Sequence, residues 1–364
     1  MKYLSDLYPK GTRAVILARG ELGTMAGKTA NSLILQGEIF EPVAVIDETK
    51  SGKTTKKFLP KAKRDIPIYK IFTETLKHKP RVLIIGVAPP GGKLSIEWRK
   101  DIILAMKNGL DVINGLHTFF NDDPEFARVA KENGVTIHDV RRPPTELRIF
   151  DGSIRKIKDK TKIVTLLRTD SSLGKRTATT ELVREAKKRG IKAGWVATGQ
   201  TGLMIGCDSG YALDHLPADY LAGMLEKAIL DAADKGLELI FIEGQGAICH
   251  PAYSGIALTL LHGSQPDCLI MCHDPKREKL VYFDWPIAEL NKEIKIVEKL
   301  TGNSRAKVVG IASCGAEGER EENIEIIKKI TSLPAADVFL PGGAALLLDA
   351  ILEYLKKKQK RLDK

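Results

Sequence analysis

The sequence has few cysteines, few aromatic residues and no long apolar run. No stretch approaches the roughly 20 consecutive apolar residues of a membrane span, so we expect no membrane partner. The five cysteines all lie in the second half and include no CxxC pair. Because an odd number cannot pair fully within one chain, they are expected to be reduced core thiols. The N-terminus, MKYLSDLYPKG, lacks the apolar core of a secretory signal, which predicts a cytoplasmic protein.

The charge is strongly positive, at +11, but no motif for nucleic acid accompanies it. The excess lies partly in the tail KKKQKRLDK and partly in Lys-rich turns such as 53–64. We therefore expect a solvated basic surface that attracts small anionic ligands, and no nucleic-acid partner. At 364 residues the chain has room for two domains, each able to bury its own core.

Short apolar runs alternate with helical patterns through the first 145 residues. Runs of this length, rich in β-branched residues and bounded by Gly, Pro or charge, are typical of buried parallel strands. They lie at 13–18, 41–47, 81–88, 110–116 and 134–140. Residues 94–108 supply a helix between two of them, with Leu94, Trp98, Ile102 and Met106 at helical spacing. This pattern predicts a Rossmann-like parallel sheet.

The same alternation starts again at Lys160. Strands are predicted at 162–167, 191–198, 237–244, 266–272 and 306–313, with helices through Ala186, near 219–234 and from about 343 to 358. The segment 141–160 is rich in Pro and charge, so we place the boundary there. The fold class is α/β, with a Rossmann-like domain at 1–145 and a P-loop NTPase-like domain at 146–364.

The segment TDSSLGKRT follows the strand KIVTLL and precedes a helix, as a phosphate-binding loop does. Lys175 and neighbouring amides are expected to hold phosphate, with Thr177 or Thr169 as a ligand of phosphate or metal. Asp170 is a candidate to orient a substrate amine or a metal ion. The spelling departs from a P-loop at Arg168, where Gly is expected, and at Arg176, which separates the lysine from the threonine. Two weaker glycine turns occur at 23–30 and 86–93.

Polar side chains also follow two other predicted strands, in ATGQTGLMIG and IEGQGAICHPAYSG. Ligands of open α/β sheets lie at the carboxyl ends of the strands, so these side chains are expected to share a crevice with Lys175. Glu243 and His250 are the candidates for a general base or metal ligand. Gln200 and Gln245 are candidates for cofactor binding. His262 and His273 are interpreted as structural.

Seven ordered motifs resemble the DUF1611 family across nearly the whole chain. They are IIGVAPPGGKLSIEWRKDI, NGLHTFFNDD, DVRRPP, TDSSLGKRTATTEL, WVATGQTGLMIG, EGQGAICHPAYSG and LLHGSQPD. The resemblance implies a Rossmann-like domain followed by a P-loop-like domain similar to dethiobiotin synthetase. The family includes D-glutamate N-acetyltransferases, which use acetyl-CoA. Carried over by motif, it implicates the loop and EGQG residues Thr169, Asp170, Gly174, Lys175, Thr177, Glu243, Gln245 and His250.

We therefore expect an N-acyltransferase that moves an acetyl group from acetyl-CoA to the amino group of an acidic amino acid, a small-molecule substrate that the resemblance implies to be D-glutamate. Glu243 or His250 would deprotonate the acceptor amine, and Arg99 or Arg141 would pair with its carboxylates. The cofactor site is expected at Thr169, Gly174, Lys175, Arg176, Thr177, Gln200 and Gln245. The alternatives are an ATP and Mg²⁺-dependent ligase or kinase and a non-catalytic nucleotide or CoA sensor. We also expect self-association into a homo-oligomer.

Overall fold

The computed structural model describes residues 3–88, 94–170, 173–281 and 283–362, without the side chains of Lys175, Glu317, Arg361 and Leu362. These residues form two compact units. The first contains residues up to 144 together with 199–207, and the second contains 145–198 and the residues from 208 onward. The compact units do not show whether each part folds on its own. The predicted domain limits, 1–145 and 146–364, therefore stay a prediction.

The first unit is built on a parallel sheet. Within the described residues its strands are Thr12–Leu17 (β1), Phe40–Ile46 (β2), Ile68–Tyr69 (β3), Val82–Ile85 (β4), Asp111–Asn114 (β5) and Ile137–Asp139 (β6). Its helices before residue 144 are Leu4–Leu7 (α1), Lys28–Gln36 (α2), Ile96–Lys107 (α3) and Pro124–Asn133 (α4). The strand order β3-β2-β1-β4-β5-β6 is that of a Rossmann-like sheet, as predicted.

The second unit has a larger parallel sheet, in the order β13-β12-β11-β7-β10-β8-β9. Its strands are Lys162–Arg168 (β7), Ala193–Ala197 (β8), Ser209–Gly210 (β9), Leu239–Ile242 (β10), Cys268–His273 (β11), Val308–Ser313 (β12) and Ala335–Ala336 (β13). The helices of this half of the chain are Lys175–Lys188 (α5), Gln200–Ile205 (α6), Leu221–Ala233 (α7), Ser254–Ser264 (α8), Leu290–Leu300 (α9), Arg320–Ile330 (α10) and Gly343–Leu362 (α11). The predicted P-loop-like fold class is confirmed.

Strand β7 lies at the centre of this sheet, between β11 and β10. All its residues except the first are buried, because helices cover both faces of a parallel sheet. Its buried neighbours on the other strands include Ile242 and Met271. This central position carries the chain after Arg168 directly to the carboxyl edge of the sheet, where the glycine-lysine loop begins.

Helix α6 comes after β8 in the sequence, among elements of the second unit, but it packs within the first unit. Thr201 shares a hydrogen bond with Thr29 at 2.9 Å between the hydroxyl oxygens, and the Glu38 amide donates to the Ile205 carbonyl at 2.8 Å. Among the described residues, no helix is both long enough and apolar enough to cross a membrane.

Candidate functional site

The glycine-lysine loop joins β7 to α5 with the strand, turn and helix order that was predicted. Gly174 precedes the helix at φ +45, a left-handed conformation that favours glycine. A Cβ there would lie 3.3 Å from Cys314 Sγ, so little space is left for a side chain. Helix α5 has 14 residues, and its first turn presents the backbone amides that bind anions. Residues 171–172 and the Lys175 side chain lie outside the described residues, so the Lys175 contact with phosphate stays a prediction.

Arg168 ties the loop to the EGQG turn. Its side chain is buried, and its Nε donates to the carbonyl of Gly246 at 2.7 Å. Burial lowers the pKa of this guanidinium to about 10, so it remains charged near neutral pH. Gly246 itself has φ +65, and a Cβ there would lie 2.3 Å from the Tyr253 carbonyl oxygen. The arginine at the leading loop position therefore supports the architecture of the site.

Glu243 and Arg176 form an ion pair at the start of α5. Glu243 follows β10, which lies beside β7, and it is only 2% exposed. Its Oε1 accepts a hydrogen bond from Arg176 Nε at 2.8 Å. The other oxygen, Oε2, is buried and has no hydrogen-bond partner among the described residues. A buried carboxylate oxygen without a partner is costly, so it marks a position where a ligand group can bind.

Gln245 connects the ends of two neighbouring strands. Its Nε2 donates to the carbonyl of Thr198 at 2.8 Å, and the Thr198 hydroxyl donates to the carbonyl of Glu243 at the same distance. These bonds hold the backbone on both sides of Glu243. Gln245 thus positions the EGQG turn, and its predicted contact with a cofactor stays a prediction.

His250 is completely buried beside Asp170. Its Nδ1 accepts a hydrogen bond from the Ala252 amide at 3.2 Å, which assigns the proton of the neutral ring to Nε2. Nε2 lies 3.7 Å from Asp170 Oδ1, beyond hydrogen-bond length. The ring packs against Tyr253, with centroids 4.6 Å apart, and against Phe283 at 5.3 Å. Nε2 is buried and has no hydrogen-bond partner among the described residues.

Asp170 binds the segment that follows β11. Its Oδ2 accepts from Arg277 Nη1 at 3.0 Å and from the Val281 amide at 2.9 Å. The carboxylate is completely buried, so the Arg277 charge compensates it. Asp170 therefore holds the 277–281 backbone over this edge of the sheet, and its proposed contact with a substrate amine stays a prediction.

Two residues at this edge were not predicted as part of the site, Arg277 and His273. His273 Nδ1 shares a hydrogen bond with the Thr169 hydroxyl at 2.9 Å, so it fixes one of the predicted loop residues. Burial lowers the pKa of His273 to about 4, which keeps the ring neutral at pH 7. The signal for both residues was their position at or just after the carboxyl end of β11, the strand beside β7.

Comparison with known families matches both parts of the chain. Residues 148–347 match a family described as "Domain of unknown function (DUF1611_C) P-loop domain", and residues 48–143 match "Domain of unknown function (DUF1611_N) Rossmann-like domain". The chain belongs to the DUF1611 family. This membership confirms the resemblance inferred from the seven motifs.

Curated relatives of this DUF1611 protein include two named D-glutamate N-acetyltransferase. The one from Tritonibacter scottomollicae is 38% identical over 277 residues, which cover 74% of this chain and 81% of the relative. The one from Pseudoalteromonas sp is 32% identical over 275 residues, with the same two coverages. A solved DUF1611 family protein from Anabaena variabilis has a TM-score of 0.86 and 32% identity, covering 94% of this chain and 100% of the other.

Three predicted binding residues of this DUF1611 protein lie in the first unit. Gln200 begins α6, and a Cβ added to Gly115 would lie 3.0 Å from Gln200 Cγ, so the two are packed together. Arg141 is buried and donates from Nε to the Gly115 carbonyl at 2.7 Å. Arg99 binds two carboxylates, Asp123 and Glu125, which disfavours the proposal that it pairs with a substrate. Cofactor contact of Gln200 and carboxylate binding by Arg141 stay predictions.

The second glycine-lysine segment, 23–30, leads into helix α2 of this DUF1611 protein. The Ala30 amide in the first turn of α2 donates to the Gly86 carbonyl at 2.8 Å. The Ala88 amide donates to the Ala26 carbonyl, also at 2.8 Å, so α2 is tied to the segment after β4. The rest of the predicted glycine turn at 86–93, residues 89–93, lies outside the described residues.

Proposed function

We propose that this protein is an N-acyltransferase that moves an acetyl group from acetyl-CoA to the amino group of D-glutamate. The observation that carries the proposal is the 38% identity, across 74% of the chain, to a relative named D-glutamate N-acetyltransferase. An acceptor of this class is a small anion, which suits a chain of net charge +11. We also propose that the chain self-associates into a homo-oligomer.

Glu243 is the general base in this proposal. The acceptor arrives as an ammonium ion and must lose a proton before its nitrogen attacks the thioester carbon. Oε2 of Glu243 is a buried acceptor at the start of α5 that has no partner among the described residues, whereas Oε1 is held by Arg176. The nitrogen then forms a bond to the acetyl carbon, the carbon–sulfur bond breaks, and CoA leaves as a thiolate that takes up a proton.

His250 is less suited to be the base. Its Nδ1 already accepts the Ala252 amide at 3.2 Å, and its Nε2 lies 3.7 Å from Asp170 Oδ1. The ring is also completely buried between Tyr253 and Phe283. We therefore assign His250 to the support of Asp170 and the EGQG turn.

The donor phosphates are proposed to lie on the first turn of α5. Backbone amides after Gly174 and the positive end of a 14-residue helix favour an anion there. Lys175, Arg176 and Thr177 are the side chains at this turn, and Thr169 lies at the start of the same loop, fixed by His273. The loop can therefore hold CoA while Glu243 binds the acceptor amine.

The test is release of CoA thiol from acetyl-CoA, followed with a thiol reagent, in the presence of single D- and L-amino acids. Thiol release should depend on D-glutamate. Glu243→Gln should lower kcat by about 100-fold or more, because general-base catalysis typically contributes at least that factor. Glu238→Gln is the matched control, since its side chain is 57% exposed at the other end of β10.

Absence of thiol release with every amino acid would overturn the proposal. Hydrolysis of ATP that is stimulated by an acidic substrate would support the ligase or kinase alternative instead. Equal activity of Glu243→Gln and Glu238→Gln would leave acetyl transfer in place and remove Glu243 as the base.

A further inference from the structure

A P-loop that binds ATP uses two protein groups to hold Mg²⁺. One is the hydroxyl of the Ser or Thr immediately after the lysine, and the other is an acidic residue at the end of a neighbouring strand. In this chain the residue after Lys175 is Arg176, and the acidic residue after the neighbouring strand β10 is Glu243. Both positions that would hold Mg²⁺ are therefore present in the sequence. At one of them, however, the positively charged Arg176 stands where an NTPase has a hydroxyl ligand.

The donor set does not fit Mg²⁺. Arg176 Nε donates to Glu243 Oε1 at 2.8 Å, and Glu243 is 2% exposed while the arginine side chain is 21% exposed. A guanidinium has five N–H donors and no atom that can coordinate a metal. Its positive charge also repels a divalent cation close to the same carboxylate, and the burial of Glu243 weakens the screening of the two charges by solvent.

Thr177 does not restore the missing metal ligand. It follows Arg176 by one residue on α5, and successive residues of an α-helix differ by about 100° around the axis. The Thr177 side chain therefore leaves the helix in another direction than the Arg176 side chain that reaches Glu243. With Arg176 at the position that follows the lysine, the nearest hydroxyl on α5 lies one residue further along the helix.

We infer that Arg176 takes the place of the metal ion, so that the loop binds phosphate groups without a divalent cation. A guanidinium that is paired with a carboxylate can bridge to phosphate oxygens through charge-assisted hydrogen bonds, as Mg²⁺ bridges a carboxylate and phosphates in an NTPase. The identification of the phosphate ligand as CoA rests on the proposed function. The metal-independent binding rests on Arg176 and Glu243 alone.

The test is calorimetric titration of the full chain with CoA and with ADP, each in excess Mg²⁺ and in excess EDTA. The wild-type Kd for CoA should differ by less than about twofold between the two conditions. Arg176→Ser restores the P-loop spelling and should weaken CoA binding in EDTA by about tenfold or more, since hydrogen bonds to charged groups contribute on that scale. Added Mg²⁺ should recover part of that loss in the variant only.

Arg176→Lys is the companion variant, because it keeps the charge beside the buried Glu243. It should fold like the wild type by circular dichroism and should retain CoA binding that does not respond to EDTA. A wild-type protein whose CoA affinity falls about tenfold in EDTA would overturn the inference, and so would one that binds neither ligand. Binding of ADP but not CoA, equal in Mg²⁺ and EDTA, would remove acetyl-CoA as the donor and still support a metal-independent loop.

Discussion

Replacing Glu293 by Gln should remove a loss of stability that the second unit otherwise undergoes as the pH rises from about 5 to 8. Glu293 lies on α9 and is completely buried, and neither carboxylate oxygen makes a hydrogen bond of normal geometry to a described residue. Burial raises its pKa to about 7, and the negative charge of Asp170 acts in the same direction. The backbone amides of Ile248 and Cys249 lie close enough to oppose this shift in part.

The sign of the effect follows from proton binding. Between the ordinary pKa of 4.5 and the folded pKa of about 7, the unfolded chain has released the proton of Glu293 while the folded chain retains it. The folded state is therefore favoured below pH 4.5 and loses that advantage as the pH rises to about 7. A difference of about 2.5 between the pKa values, at about 1.4 kcal/mol each, corresponds to roughly 3 kcal/mol.

Glu293→Gln removes this titration. Relative to the wild type, the variant should gain roughly 2 to 3 kcal/mol of unfolding free energy between pH 5 and pH 8. Burying the glutamine amide has a free-energy cost of its own. That cost does not depend on pH, so it does not affect the change in unfolding free energy between about pH 5 and pH 8. The gain should be complete near pH 8, where the carboxyl group is ionised in both states.

The assay is urea unfolding at a series of pH values, followed by tryptophan fluorescence. A Trp98→Phe background removes the first unit's tryptophan, and Trp195 on β8 then reports on the second unit. Glu321→Gln, at an exposed position of α10, is the control and should change the unfolding free energy by less than about 0.5 kcal/mol at every pH. Parallel pH profiles for the wild type and Glu293→Gln would refute the reasoning.

Two further changes test the packing of each unit. Asp267→Ala removes the carboxylate that accepts from Lys158 Nζ at 2.9 Å, and it should cost about 3 kcal/mol in the same urea assay because Lys158 is left largely buried. Gly27→Ala should lower the thermal stability of the first unit far more than Gly52→Ala. A Cβ at Gly27 would lie 1.8 Å from the Glu21 carbonyl oxygen, whereas Gly52 has φ +78 and open space around it. Similar melting temperatures for the two variants would contradict this prediction.

The long strands were predictable because their physical signal is local. A strand buried on both faces is a continuous apolar run, and the runs at 162–167 and 237–244 correspond to β7 and β10. The strands β3, β9 and β13 have only two residues each, which is too short for any periodicity. The helix α4 was missed although its signals are present, with Asp123 as N-cap and Gly134 after the last turn.

The packing of α6 in the first unit could not be read from the sequence. The segment 199–207 lies between two strands of the second unit, and its local pattern is that of any βα connection. Only tertiary contacts, such as the hydrogen bond between Thr201 and Thr29, reveal which core it joins. Gln200 was assigned to the cofactor site because it follows a strand. The rule that ligands bind at the carboxyl ends of strands does not show when the segment after a strand packs in the other unit.

The site was predictable to the level of strand ends. Thr169, Glu243 and Gln245 were selected because each follows an apolar strand, and the structure places all three at the carboxyl edge of one sheet. Arg277 was missed because charged residues in Lys-rich segments resemble solvated surface. Its importance lies in its bond to Asp170, more than 100 residues away along the chain, and that pairing is not written in the local sequence.

The two departures from the P-loop spelling have one physical explanation. Arg168 and Arg176 lie on opposite sides of the loop, and both bind the EGQG segment, Arg168 at the Gly246 carbonyl and Arg176 at the Glu243 carboxylate. In an NTPase loop the glycine faces the phosphates and the hydroxyl binds Mg²⁺. Here two guanidinium groups join the loop to the EGQG segment that follows β10. The arrangement leaves one carboxylate oxygen of Glu243 for the ligand, which is the requirement of a general base and not of a metal-bridged phosphate.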